Sequence, residues 1–152
     1  MPKQKQNKTK IETESSVQIR CINLIRSLSP YTHIIVNAQS RGAQSVGSVM
    51  KAKREGFVSG QSDIIVIRRC YDHDNGRIVN GMFLELKREK TRITKKDGTY
   101  TSNTIAEQAY YFEKYGKDMY CNFGIGYDHA EKIIQKFFSF KEIKITEFET
   151  IK

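Results

Sequence analysis

Residues 60 to 87 read GQSDIIVIRRCYDHDNGRIVNGMFLELK, two apolar runs around a polar turn, and no other stretch of the chain restricts the fold as tightly. Ile64 to Ile67 is a β-branched run, and Met82 to Leu86 is the second apolar run. Between them Asp74-Asn75-Gly76 supplies residues that tolerate the positive φ of a tight hairpin turn. A reversal there lays the start of the first strand beside the end of the second, so Asp63 comes within a residue or two of Lys87. Side chains alternate along a strand, which puts Glu85 and Lys87 on one face and Leu84 and Leu86 on the other, toward the core. The Asn80-Gly81 pair offers a second turn, and a reversal at that point would throw Asp63 far from Glu85. The first turn is favoured because it leaves strands of comparable length, with Gly81 as a bulge.

The rest of the chain is long enough to support such a hairpin. At 152 residues and 38% hydrophobic composition it can bury a core, which excludes a disordered polymer. Met1 to Lys10 is polar and basic, so residues 1–10 are expected to form a disordered arm ahead of a single domain over 11–152. The 26 Lys and Arg against 17 Asp and Glu give a net charge of +9, which favours a polyanionic partner. Charge alone does not separate nucleic acid from an anionic membrane. No apolar run reaches membrane-spanning length and the first ten residues lack a signal-type apolar stretch, so an intracellular, cytoplasmic protein without a membrane partner is expected. Cys21, Cys70 and Cys121 are odd in number and widely spaced, matching neither a disulfide framework nor a zinc site. Buried thiols in a reducing compartment are the expectation.

Taken in order, Val17, Cys21, Leu24, Ile25 and Leu28 fall at helical spacing and predict a helix from about Glu12 to Leu28, ended by Ser29-Pro30. Glu14 sits in its first turn, where favourable interaction with the helix dipole is a sufficient reason for it. His33 to Val36 predicts a short strand, and Ala43 to Glu55 a second helix carrying Lys51, Lys53 and Arg54. After Lys87 the run REKTRITKKDGTYTSN reads as a flexible loop or exposed hairpin, and Arg88, Lys90, Arg92, Lys95 and Lys96 bring positive charge beside the acidic pair. Such bases contact phosphates or simply solvate a surface. A helix from Thr104 to Tyr115 follows, with Ala109, Phe112 and Ile105 inward, Gln108 near that side and Gly116 closing it. Met119 to Phe123 predicts a strand, Asp128 the cap of a helix from His129 to Phe138, and residues 140 to 152 an edge strand. His33, His73 and His129 are scattered and make no metal-ligand spacing.

Two carboxylates beside a lysine form a hydrolytic constellation. Asp63 and Glu85 are hard oxygen ligands of the kind that Mg²⁺ or Mn²⁺ takes, completed by waters and a carbonyl. Lys87, on the Glu85 face, suits orientation of a water or stabilisation of a phosphoryl transition state. A Glu-x-Lys triplet also arises on any half-buried strand with an exposed Glu and Lys. It gains weight here because Asp63 opens the preceding strand and an amphipathic helix follows.

GQSDIIVI, FLELK and the Gln of AEQAYYFEKYG together resemble the PD-(D/E)xK nuclease superfamily, and within it the VRR-NUC domain of stand-alone, phage-type proteins and larger repair nucleases. KAKREGFVSGQSD also looks like the stretch that this family places before its aspartate, and the similarity spans about Glu12 to Phe138. Ser62 departs from it, standing where the motif's name calls for proline. The resemblance implies an α/β, restriction-endonuclease-like core with a central mixed sheet flanked by helices. It implies that Asp63, Glu85 and the main-chain carbonyl of Leu86 hold the metal, that Lys87 acts on the nucleophilic water, and that Gln108 orders the site. Glu14, spaced ahead of Gln18, would contribute through water or a second metal. The implied activity is Mg²⁺- or Mn²⁺-dependent DNA endonuclease action, with branched or junction DNA and a homodimer suited to one another. The alternative from another class is an inactive nuclease fold that binds nucleic acid or a partner protein.

Overall fold

A computed structural model describes residues 10–36 and 62–144. The arm ahead of Lys10, the helix expected over Ala43 to Glu55 with Lys51, Lys53 and Arg54, and the end of the chain from residue 145 lie outside the described residues.

The hairpin is built as the turn chemistry requires. Strand β2 (Ile64–Asp72) and strand β3 (Arg77–Lys87) pair antiparallel around a turn ending at Gly76, whose φ of +65° is open to glycine. Asp72 is fully buried behind the turn and accepts from the N–H groups of Asp74 and Asn75, the Asn75 side-chain amide and Arg77 Nε. Asn80-Gly81 is no turn: Gly81 pairs with Ile67 inside the ladder. The register shifts next to it, where Arg68 and Arg69 of β2 stand opposite Asn80. Glycine is required at 81 because a Cβ would lie 2.0 Å from the Val66 carbonyl oxygen.

The hairpin forms the centre of a five-stranded mixed sheet. Strand β1 (His33–Val36) pairs antiparallel with the first half of β2, and the two-residue β5 (Lys141–Glu142) pairs with Cys70 and Tyr71 along that same edge. Strand β4 (Tyr120–Ile125) runs parallel to β3, with Leu86 beside Gly124 and Lys87 beside Ile125. The expected late strand is thus confined, among the described residues, to Lys141–Glu142, with the Ile143 N–H donating to the Arg69 carbonyl.

Helices cover both faces. Helix α1 (Glu14–Leu28) starts two residues later than the spacing suggests, because Thr13 caps it by accepting from the Ser16 N–H. It packs with helix α3 (Gly126–Ser139) on one face, where Val17, Cys21, Ile25, Ile64, Val66, Leu84, Leu86, Ile134 and Phe137 form the main core. Helix α2 (Asn103–Tyr115), capped by Ser102, covers the other face over Ile65, Phe83 and Met119. Its inward residues are Ile105 and Gln108, whereas Ala109 and Phe112 are only half-buried. The start expected for α3 is corrected as well. Asp128 lies in the first turn and caps nothing; the helix begins at Gly126, and the Ile125 N–H donates to His129 Nδ1 at 3.0 Å.

Cys21 and Cys70 are buried and Cys121 half-buried, all three unpaired. Burial pushes the Cys21 and Cys121 thiols up to about 12, so both stay protonated and unreactive. No helix among the described residues is long and apolar enough to cross a membrane.

Candidate active site

The β2–β3 register pairs Ile64 with Leu84, so one step further it sets Asp63 opposite Glu85. Both carboxylates are 4% exposed. Asp63 Oδ2 accepts the Leu86 N–H at 2.8 Å, which fixes the aspartate across the end of β3. In an extended strand a residue's C=O points to the same side as its N–H. The Leu86 carbonyl is therefore directed to the Asp63 side, beyond the last β2–β3 pair.

Glu85 gathers the other groups. Gln108 Nε2 donates to Glu85 Oε1 at 2.7 Å, and Lys87 Nζ lies 3.5 Å from the same oxygen. Alternation along β3 puts Lys87 on the Glu85 face, and helical spacing from Ile105 turns Gln108 inward. Three buried oxygens in this region, Glu85 Oε2, Gln108 Oε1 and Ser62 Oγ, have no hydrogen-bond partner among the described residues. Burial and, after it, the adjacent Asp63 carboxyl push the Glu85 carboxyl up to about 9, with Lys87 pulling it the other way.

Two buried carboxyl groups held together, with one Glu85 oxygen unpartnered among the described residues, are a donor set that a hard divalent cation would suit. Among the described residues no three His, Cys, Asp or Glu side chains converge on one point. Asp63, Glu85 and the Leu86 carbonyl are the oxygen donors that could hold such an ion, with waters completing its shell.

Asp63, Glu85, Lys87, Leu86 and Gln108 are thus brought together, as the sequence led one to expect. Glu14 is half-buried in the first turn of α1, and no hydrogen bond or ion pair joins it to these groups among the described residues. Arg88, Lys90, Arg92, Lys95 and Lys96 are all exposed on the segment leaving β3. Sequence reasoning missed the complete burial of Ser62 with its hydroxyl unpartnered. It also missed the aromatic floor on the Glu85 face, where Phe83 packs against Tyr111 and Tyr115. The recurrence of Tyr111 and Tyr115 after Gln108 at helical spacing was the available signal.

No protein-family model matches the sequence, and no curated protein matches it. In three dimensions the chain is similar to a solved structure described as a VRR_NUC domain protein, with a TM-score of 0.60 and 18% identity over 88% of this chain and 93% of that one. The α/β chain, its mixed sheet flanked by helices, has a VRR-NUC-like, nuclease-type fold.

Proposed function

We propose that this chain is a metal-dependent nuclease that hydrolyses phosphodiester bonds in DNA, with Mg²⁺ or Mn²⁺ held by Asp63, Glu85 and the Leu86 carbonyl. The observation that carries this reading is the convergence of two buried carboxylates with Glu85 Oε2 left unpartnered. Burying two adjacent carboxyl groups is costly even with Gln108 and Lys87 beside them, and a purely structural role gives no return for that cost.

A bound divalent ion supplies the charge that activates water and offsets the negative charge of the phosphate. The residues of the chain do the rest. Gln108 holds the Glu85 carboxylate in one orientation by donating to Oε1. Asp63 is held across the end of β3 by the Leu86 N–H, which fixes the direction of its carboxyl group. Lys87, on the Glu85 face, orients the attacking water and donates to the phosphate oxygen on which charge builds. Water adds to phosphorus and gives up a proton to solvent, the bond to the 3′ oxygen breaks, and solvent supplies a proton to that oxygen. The exposed bases from Arg88 to Lys96 hold the flanking backbone.

The test is cleavage of end-labelled single-stranded, duplex, flap and four-way DNA with Mg²⁺ or Mn²⁺, with Asp63→Ala alongside. Wild-type cleavage lost in Asp63→Ala is expected. Equal inactivity of both proteins, with DNA binding retained, would replace the enzyme by a nuclease fold that only binds.

A further inference from the structure

Between β3 and α2 lies a segment that the hydrolytic chemistry does not use. Thr94 to Tyr100 is a continuous exposed run, yet the segment is ordered by its own hydrogen bonds. The Lys95 N–H donates to the Thr99 carbonyl at 2.7 Å and the Thr101 N–H to that of Ile93 at 3.1 Å, with Thr94 bridged antiparallel to Tyr100. Asp97 Oδ1 closes the tip by accepting from both the N–H and the hydroxyl of Thr99. Gly98 takes a φ of +85°, and a Cβ added there would meet nothing within 4 Å. This is a short antiparallel ribbon standing clear of the fold.

Its base is fixed near the carboxylates. The chain leaves β3 through a turn in which the Thr91 N–H donates to the Arg88 carbonyl and Lys90 adopts a φ of +69°, uncommon for a residue with a side chain. It re-enters the fold at Ser102, the cap of α2, and Gln108 follows about 9 Å further along that helix. Lys87 and Gln108, the two side chains that reach Glu85 Oε1, therefore bracket the ribbon in sequence. At the tip Lys95 and Lys96 outweigh Asp97 in charge.

We propose that the ribbon grips duplex DNA by entering the major groove beside the scissile phosphate, so that the preferred substrate carries a double-stranded arm next to the cut. This rests on the proposed action on DNA. The major groove, about 12 Å wide, admits a two-stranded β-ribbon. From Ile93, where the pairing begins, to Lys96 the arm is about 10 Å long, comparable with the groove depth of about 8.5 Å. A single strand has no groove; it is held by backbone charge and by aromatic side chains on which bases stack. Between Lys95 and Thr99 there is no aromatic residue, and Tyr100, exposed beside Thr94, is a single ring on the ribbon rather than the row on which successive bases stack. Ordered shape and tip charge both match a duplex.

Binding measured without divalent metal separates this inference from the enzyme reading. The probes are a short labelled duplex and one of its strands, followed by fluorescence anisotropy across a salt series with the full chain. Lys95→Ala/Lys96→Ala should lower duplex affinity about tenfold, shrink the preference for duplex over single strand, and make the slope of log K against log salt shallower by about 2. Gly98→Val keeps every charge and strains only the tip, so it should weaken duplex binding with the slope unchanged. Melting curves matching the wild type establish that both variants fold. Equal losses on duplex and single strand in the lysine variant, or wild-type duplex binding by Gly98→Val, overturn the proposal. Wild-type protein that binds neither DNA brings down the DNA reading and the ribbon together. A duplex preference carried by the ribbon in a protein that cleaves nothing removes only the enzyme.

Discussion

Gln108 Nε2 donates to Glu85 Oε1 at 2.7 Å, tying α2 to the end of β3, while the other oxygen of each side chain is buried without a partner among the described residues. The amide is thus a positioning group for a carboxylate whose free oxygen faces the proposed ion. Gln108→Ala removes that donor and leaves Glu85 oriented by Lys87 alone among the described cations. Metal affinity should fall 10- to 100-fold, about what loss of an outer partner of a ligand costs. Calorimetric titration with Mn²⁺ checks this, and unchanged affinity in a folded variant would remove Gln108 from the site.

Glu85 makes the metal-free protein sensitive to alkali. Its carboxyl is pushed from 4.5 up to about 9, so between those values the folded state binds a proton that the unfolded state has released. Stability in the presence of a chelator should therefore fall as pH rises from about 4.5 through 9, by on the order of a few kcal/mol in all. Glu85→Gln keeps the shape and the bond to Gln108 by flipping its amide, but carries no charge. It should melt higher than wild type at pH 8 with chelator, and Mn²⁺ should raise the melting temperature of the wild type only. Parallel pH profiles for the two proteins would show that Glu85 is not the buried proton holder.

Asp72, on the same hairpin, has the opposite sign. Burial pushes its carboxyl up, but donors from Asn75, Arg77 and Asp74 outweigh that and hold it below its ordinary value of 3.8. A depressed carboxyl contributes stability above 3.8 that is lost as pH falls through the folded value. Asp72→Ala strips four donors of their acceptor in a fully buried position and should cost about 3 kcal/mol at pH 7. Urea unfolding of the two proteins at pH 7 and again at about pH 3.5 should show the gap narrowing with acid. A constant gap would mean that the charge of Asp72 does not stabilise the turn.

These two residues also mark where the sequence is readable. The turn at Asn75-Gly76 and the two-residue alternation of β3 are local rules, and they suffice to bring Asp63, Glu85 and Lys87 together. Helical spacing puts Gln108 only near the inward side of its helix, and its link to the acidic pair comes from the resemblance. Asp72 does not follow from local rules, because nothing local distinguishes it from Asp74: its burial comes from Arg77, which reaches the Gly116 and Met119 carbonyls across the sheet. The start of α3 was misplaced for a similar reason. Asp128 is a good capping residue by type, but the His129 ring takes the Ile125 N–H, and Gly126, at a φ of +73°, turns the chain into the helix early.

A substitution at Lys87 would separate the proposed catalysis from the proposed metal binding. The lysine Nζ lies 3.5 Å from Glu85 Oε1, too long for a strong hydrogen bond, and its side chain is 13% exposed, so the charge is mostly desolvated yet loosely held. A group spent on the ground state would close that distance; one reserved for the phosphate is free to turn toward it as negative charge builds. Lys87→Gln keeps much of the length and the polarity while removing the cation. Single-turnover cleavage should fall 10²- to 10³-fold, the scale of losing one transition-state donor. Mn²⁺ affinity should change little, since Lys87 repels the ion as much as it helps deprotonate Glu85. Equal losses of affinity and rate would make Lys87 a support for the carboxylates and leave the attacking water to be oriented by another group.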